Sequence, residues 1–331
     1  MLTMYSYENN KIMLCETSNI QKSLSNALWI DLNSPTLEEE KQVEDFLGID
    51  IPTRDEIESL ELSRRLYKER GNFYLTATIL THADTREPEN KTYTFVLTDK
   101  RLVTVRYADT QPFSTTSERL QKQEILREAD PKLIAISLFE ALTNRLSDIL
   151  EQNGNRVDAL SKSIFHAKKN IASRRASDNK NLSLEEAICE TGIEGDILSK
   201  IKESLVSMNR LIAFVKQSGF LEKNSEEDHR MEIIAVDISS LNEHAAFLAN
   251  KVTFLLDATL GLIGIEQNAI IKIFSVAAVI FLPPTLVASI YGMNFTHMPE
   301  LHWVYGYPAS ICMIILAAYV PYKFFKHKNW L

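Results

Sequence analysis

The chain has 331 residues, 45% of them hydrophobic and 24% charged, and carries a formal net charge of −8. That acidic balance argues against a nucleic-acid-binding protein, whose footprint is a basic patch. Three scattered thiols, Cys15, Cys189 and Cys312, form no C-x-x-C pair, which fits a reducing cytoplasm and offers neither a disulfide framework nor a zinc site.

Met1 to Leu14 includes Glu8 and Lys11 and no apolar core, so a signal peptide is not expected and the N-terminal domain should stay in the cytoplasm. Residues 1–130 read as a mixed α/β domain. Trp29 to Leu32 has the apolar character of a strand. Thr36 and Glu39 have the spacing of a capping box for a helix that Gly48 closes. Arg65 to Ile79 predicts two strands turning at Gly71-Asn72. Thr92 to Leu97 and Leu102 to Arg106 predict a second hairpin around Asp99-Lys100.

Residues 131–224 change to a helical period. Asp130 caps, Pro131 fits the first turn, and Leu133, Ile136, Leu142, Leu146, Ile149 and Leu150 form an apolar face. A polar stretch from Arg174 to Asn181 interrupts it. Ser183 and Glu186 then have the spacing of another capping box.

Residues 225–272 predict a stalk helix. Leu241, Ala245, Leu248, Val252, Leu255, Thr259 and Leu262 recur in steps of four and three, a heptad-like seam that suits either core packing or association between helices. No charge falls between Ile273 and Thr296 or between Trp303 and Tyr322. Each run is long enough to cross about 30 Å of hydrocarbon at about 1.5 Å per residue. The expected spans are therefore 273–295 and 303–322, joined by an external loop, 296–302, and followed by a basic tail, 323–331. Lys272, Lys323, Lys326 and Lys328 lie outside the spans, and the loop has no lysine or arginine. By the positive-inside rule both termini face the cytoplasm, which places a multi-pass protein in the inner (plasma) membrane among its lipids.

A second stripe occupies a different phase of the stalk and first span: Asp257, Gly261, Gly264, Asn268, Ile271, Ser275, Ala278, Leu282, Thr285 and Ser289. Small and polar residues in a membrane helix face other helices or water. A helix–helix contact explains the small residues; a water-filled conduit also explains Asp257 and Asn268. Around such a conduit Asn268 and Thr285 offer neutral oxygens, whereas Ile271 and Leu282 form apolar constrictions able to stop flow by dewetting. No phosphate-binding loop, H-E-x-x-H motif or nucleophile–base constellation stands out, so neither an enzyme nor a resident cofactor is expected.

Tyr291-Gly292-Met293-Asn294 ends the first span, followed by Met298-Pro299-Glu300-Leu301. This pattern resembles the signature of CorA magnesium channels. Ile265 to Asn268, Ile270 to Val276, Phe281 to Ser289 and Lys328 to Leu331 also resemble the enterobacterial branch of that family. The resemblance implies a funnel-shaped homopentamer that binds divalent cations and conducts Mg2+, with Co2+ and Ni2+ as further candidates. It assigns Tyr291, Gly292, Met293 and Asn294 to a selectivity filter and adds Asn268 as a second ring. It also implies closure by cytoplasmic Mg2+ at acids between subunits, for which Asp257, Asp237 and Asp55 are candidates. Glu300, the loop's only acid, is expected to concentrate cations. A zinc transporter of the same superfamily and a non-conducting membrane-tethered scaffold are the alternatives.

Overall fold

The computed structural model describes residues 1–8, 11–15, 20–54, 65–83, 85, 88–122, 130–173, 183–293, 298–299 and 303–328. They fall into two compact units, Met1–Leu255 and Leu256–Leu331.

The first unit is built on a seven-stranded sheet: β1 (Leu2–Glu8), β2 (Lys11–Leu14), β3 (Ala27–Asn33), β4 (Leu66–Glu69), β5 (Asn72–Thr81), β6 (Glu89–Leu97) and β7 (Leu102–Arg106). The spatial order is β2-β1-β3-β7-β6-β5-β4. Among the described strands only β3 and β7 pair in parallel, with Asp31 opposite Thr104. Both expected hairpins are present. The β4–β5 turn, however, is centred one residue early, on Arg70 (φ 49°) and Gly71 (φ 86°), because Glu69 pairs with Asn72. Both central residues of this two-residue loop need positive φ, which glycine supplies without steric cost. The second hairpin closes across Leu97 and Leu102.

Strand alternation sends side chains to two cores. On one face Tyr74, Val96, Val103 and Val105 pack with Leu24 of α1 (Ile20–Asn26) and Val43 of α2 (Leu37–Leu47). Helix α2 begins at the expected capping box: Thr36 Oγ1 accepts the Glu39 N–H, and Glu39 Oε2 accepts the Thr36 N–H. It ends at Gly48, whose φ of 63° is left-handed.

On the other face Leu75, Tyr93 and Phe95 meet α3 (Gln111–Lys122), α4 (Pro131–Ser173) and α5 (Leu184–Gln217) through Phe113, Phe139 and Ile201. The Asp130 carboxylate accepts the Lys132 N–H at the start of α4, and Ser183 and Glu186 form the expected box at α5. Within this helical layer Asn153, 1% exposed, donates to the backbone and carboxylate oxygens of Glu194. Burial raises the Glu194 pKa above its ordinary value, against the opposing effect of Arg156.

A polar network crosses the parallel pair. Trp29 Nε1 donates to Thr104 Oγ1 (3.0 Å), which donates to Asp31 Oδ1 (2.6 Å). Arg106 reaches the same carboxylate through Nε and through Nη2 at 2.9 Å. Its Nη1 serves the Ala108 carbonyl and Asp109. Burial works against the charged guanidinium, but Asp31 and Asp109 hold its pKa above the ordinary arginine value. Both side chains of the Asp31–Arg106 pair are under a tenth exposed, so deleting one partner strands a buried charge. Asp31→Ala is expected to cost about 3–5 kcal/mol of stability, read as a lowered unfolding midpoint of the full chain in detergent; an unchanged midpoint would contradict it.

Candidate functional site

The candidate site follows α6 (Glu226–Tyr291), 66 residues assigned as one helix. At its start the Ser225 hydroxyl accepts the Asp228 N–H, and the Asp228 carboxylate accepts the Asn224 N–H. Within the first unit α6 is bound to α4 by a bidentate pair, Arg230 to Glu140 at 2.8 Å for each oxygen, and by Lys251 to Asp158. Glycines on its neighbours permit close packing. A Cβ built on Gly154 would lie 3.5 Å from Leu248, and one on Gly195 would lie 3.3 Å from Val252.

These contacts settle what the Leu241 seam does. Ala245, Leu248, Leu255 and Thr259 are buried, and Leu241 and Val252 pack against the core of their own subunit. From Leu241 to Val252 the seam is intrasubunit packing.

The other phase lies open. Every seventh residue from Ile233 is exposed: Ser240, Phe247, Phe254, Gly261, Asn268, Ser275, Leu282 and Ser289 follow it. Phe247 is 60% exposed and Phe254 58%. Sequence reading singled out this stripe only from Asp257 onward. The signal for its earlier part was present, since Phe247 and Phe254 stand one heptad apart and one heptad before Gly261.

Along the stripe Ile271 and Leu282 are 61% and 66% exposed, and Asn268, Ser275 and Asp257 are exposed as well. Pro283 and Pro284 sit inside the helix on half-buried positions. Just beyond them the Thr285 hydroxyl donates to the Phe281 carbonyl at 2.8 Å. With its proton so committed, the Thr285 oxygen presents lone pairs only, an acceptor rather than a donor. The helix ends at Tyr291, half-buried, and is followed by exposed Gly292 and Met293. The Gly292 N–H bonds the Ala288 carbonyl, and a Cβ there would come within 3.2 Å of that oxygen. Asn294, Glu300 and Asp55 lie outside the described residues. Asp237 is exposed and stands 20 residues before Asp257 on the same helix, so the two cannot share one ion within a chain. Among the described residues no group of three or more His, Cys, Asp or Glu could hold a metal ion.

The second helix of this unit, α7 (Gly306–His327), is also long and apolar enough to cross a membrane. Only 6% of the most apolar stretch of each of α6 and α7 is buried, unlike the core helix of a soluble protein.

Together these features define a two-span membrane protein whose α/β domain precedes a long helix ending in the first span. The model of the family described as CorA-like Mg2+ transporter protein matches residues 25–327, and the chain belongs to that family. It is 36% identical over its full length to the magnesium transport protein CorA of Escherichia coli K12, and 35% identical to that of Salmonella typhimurium, with all of each chain covered. Among solved structures the complete CorA magnesium transporter of Methanocaldococcus jannaschii superposes with a TM-score of 0.77 at 16% identity, over 100% of this chain and 99% of that one. The full-length CmaX protein gives 0.69 at 13%, over 99% and 97%. At these identities the structural matches establish the fold.

Neighbouring positions on α6 therefore have opposite roles. Leu248→Ala opens a cavity beside Gly154 and is expected to cost about 2–5 kcal/mol, measured by thermal unfolding of the full chain. A wild-type midpoint would show that the seam is not packed within the subunit.

Proposed function

We propose that several copies of this chain, five by family resemblance, stand with the exposed α6 stripe facing a common axis and conduct Mg2+ into the cell. The observation that supports this reading best is the phase of α6. One heptad seam is occupied by the chain's own core, and a second, equally regular seam is left open with phenylalanines in its soluble part and small, polar and amide residues in its apolar part. A seven-residue repeat is the spacing by which parallel helices associate. Two aromatic rings about 60% exposed on one helix face also suit burial against another copy.

In this reading the ring of Asn294 amides at the outer mouth accepts hydrogen bonds from the waters of the incoming ion. Mg2+ surrenders those waters reluctantly, and neutral oxygens bind the hydrated ion weakly enough for it to leave. Thr285 continues this chemistry. Water on a cation points its hydrogens outward, and an acceptor-only hydroxyl is the matching partner. Asn268 supplies a further amide ring. Ile271 and Leu282 form the constrictions, which conduct when wetted and block when dry. Tyr291, Gly292 and Met293 position the Asn294 ring, and Ser275 lines the path. Glu300 concentrates cations outside.

No coupled energy source is needed. With both termini in the cytoplasm, a divalent ion entering at a potential of about 100 mV gains about 4.6 kcal/mol. Closure by cytoplasmic Mg2+ requires an ion that binds the closed state better. Exposed carboxylates such as Asp257 and Asp237, and also Asp55, meet that condition if neighbouring copies bring them together only when closed. Co2+ and Ni2+ share the charge and the octahedral preference and are expected to follow Mg2+.

Uptake of Mg2+, Co2+ and Zn2+ into proteoliposomes of the full chain tests this. Mg2+ flux is expected, with Asn294→Ala lowering it about fivefold or more, as the loss of a hydrogen bond of about 1 kcal/mol to the ion's water implies. Thr285→Val should lower flux, and Thr285→Ser should restore it. Zinc flux without Mg2+ flux would favour the zinc-transporter reading, and no flux at all would favour the scaffold.

A further inference from the structure

The end of α7 combines features that neither the fold nor the proposed conduit uses. From Trp303 to Leu331 the chain has no acidic residue, yet Lys323, Lys326 and Lys328 fall within six positions. This cluster of positive charge belongs to a chain whose net charge is −8. The lysines are exposed; Lys323 and Lys326 lie in the last turns of α7 and Lys328 just past its end.

The half-buried positions of the inner half of α7 are Ile314, Ala317, Ala318, Pro321 and Phe325. At 100° per residue they form one face. Tyr319, Lys323 and Lys326 fall toward the other side of the helix, and Tyr322 lies between the two. Tyr319 is 54% exposed and Tyr322 42%. The Lys326 ammonium lies over the Tyr322 ring, 5.9 Å from its centroid.

Lysines at the C-terminus of a helix also complement its dipole, but that accounts for charge near the last turn and not for tyrosines beside them. Tyrosine and lysine together at the end of an apolar span are the side chains of a membrane–water interface. The ring sits at headgroup depth and the ammonium reaches up to the phosphate.

We propose that this face is a binding site for anionic phospholipid in the cytoplasmic leaflet, with the phosphodiester held by Lys323, Lys326 and Lys328 and the glycerol–acyl region resting on Tyr319 and Tyr322. The site rests on the two-span, both-termini-inside reading. It does not depend on ion conduction. The partner follows from charge complementarity and position. A surface of the negative leaflet attracts a nearby lysine with roughly a fivefold gain in occupancy for each charge. The stem and ring surfaces would otherwise meet water.

The test uses the full-length protein and reads binding separately from flux. Thermal unfolding is followed in detergent with added phosphatidylglycerol, with phosphatidylcholine, or with inorganic phosphate at matched concentration, and lipid retained per chain is measured by mass spectrometry. Phosphatidylglycerol should raise the midpoint and be retained, whereas phosphatidylcholine and inorganic phosphate should do neither. The triple variant K323Q/K326Q/K328Q should unfold like the wild type in phosphatidylcholine and lose the response to phosphatidylglycerol. The arginine triple, K323R/K326R/K328R, should keep it.

Equal protection by inorganic phosphate would overturn the lipid assignment in favour of a soluble anion. An undiminished phosphatidylglycerol response in the glutamine triple would overturn the site. If the lipid response follows the lysines in a protein that carries no Mg2+, the site stands and the transport reading falls.

Discussion

Helix α6 has two partners to satisfy with one surface. Its residues at Ala245, Leu248 and Leu255 are committed to the subunit's own core, and its residues at Phe247, Phe254 and Asn268 are left facing out. A helix that is hydrophobic on one stripe needs one neighbour. One that repeats two stripes every seven residues needs neighbours on both, and in the proposed assembly parallel copies provide the second. The glycines at 154 and 195, the Arg230–Glu140 pair and the Lys251–Asp158 pair all hold the first stripe in place. Within the first unit they thereby fix which way Phe247 and Phe254 point.

The chemistry of the second stripe changes along its length. Aromatic rings occupy it in the first unit, then Asp257 and Gly261, then amide, hydroxyl and aliphatic groups in the span. Rings favour association, and small and neutral polar groups leave room for water and offer oxygen to it. In the proposed conduit Thr285 would show how the backbone tunes this: its bond to the Phe281 carbonyl commits a donor that would repel the outward hydrogens of a hydrated cation. The lysine–tyrosine face proposed as a lipid site on α7 suits a different solvent, the headgroup layer.

Much of this was legible in the residues. The Thr36–Glu39 and Ser183–Glu186 boxes, the Asp130 cap and the charge-free runs have short-range causes, so local sequence carries them. The parallel β3–β7 pair was not legible, because Asp31 and Arg106 stand 75 residues apart and nothing local announces their meeting. The β4–β5 turn was off by one residue because Gly71-Asn72 and Arg70-Gly71 both suit a tight turn, and only cross-strand register separates them. The Leu241 seam left core packing and self-association open, since both use the same spacing. The Gly154 and Gly195 contacts decide between them. Phe247 and Phe254 escaped notice because a lone exposed aromatic is unremarkable, and only their phase with Asn268 gives them meaning.

Single cysteines placed along the first span, with Cys15, Cys189 and Cys312 replaced, test the central claim most directly. A water-soluble thiol reagent is added while Mg2+ flux is followed. Cysteines at Ser275, Ala278, Leu282 and Ser289 should react and block, and cysteines at Phe274 and Phe281 should stay silent. Block at Phe274 and Phe281 with silence at the other four positions would mean that water lies along a different face, and the proposed path would be wrong.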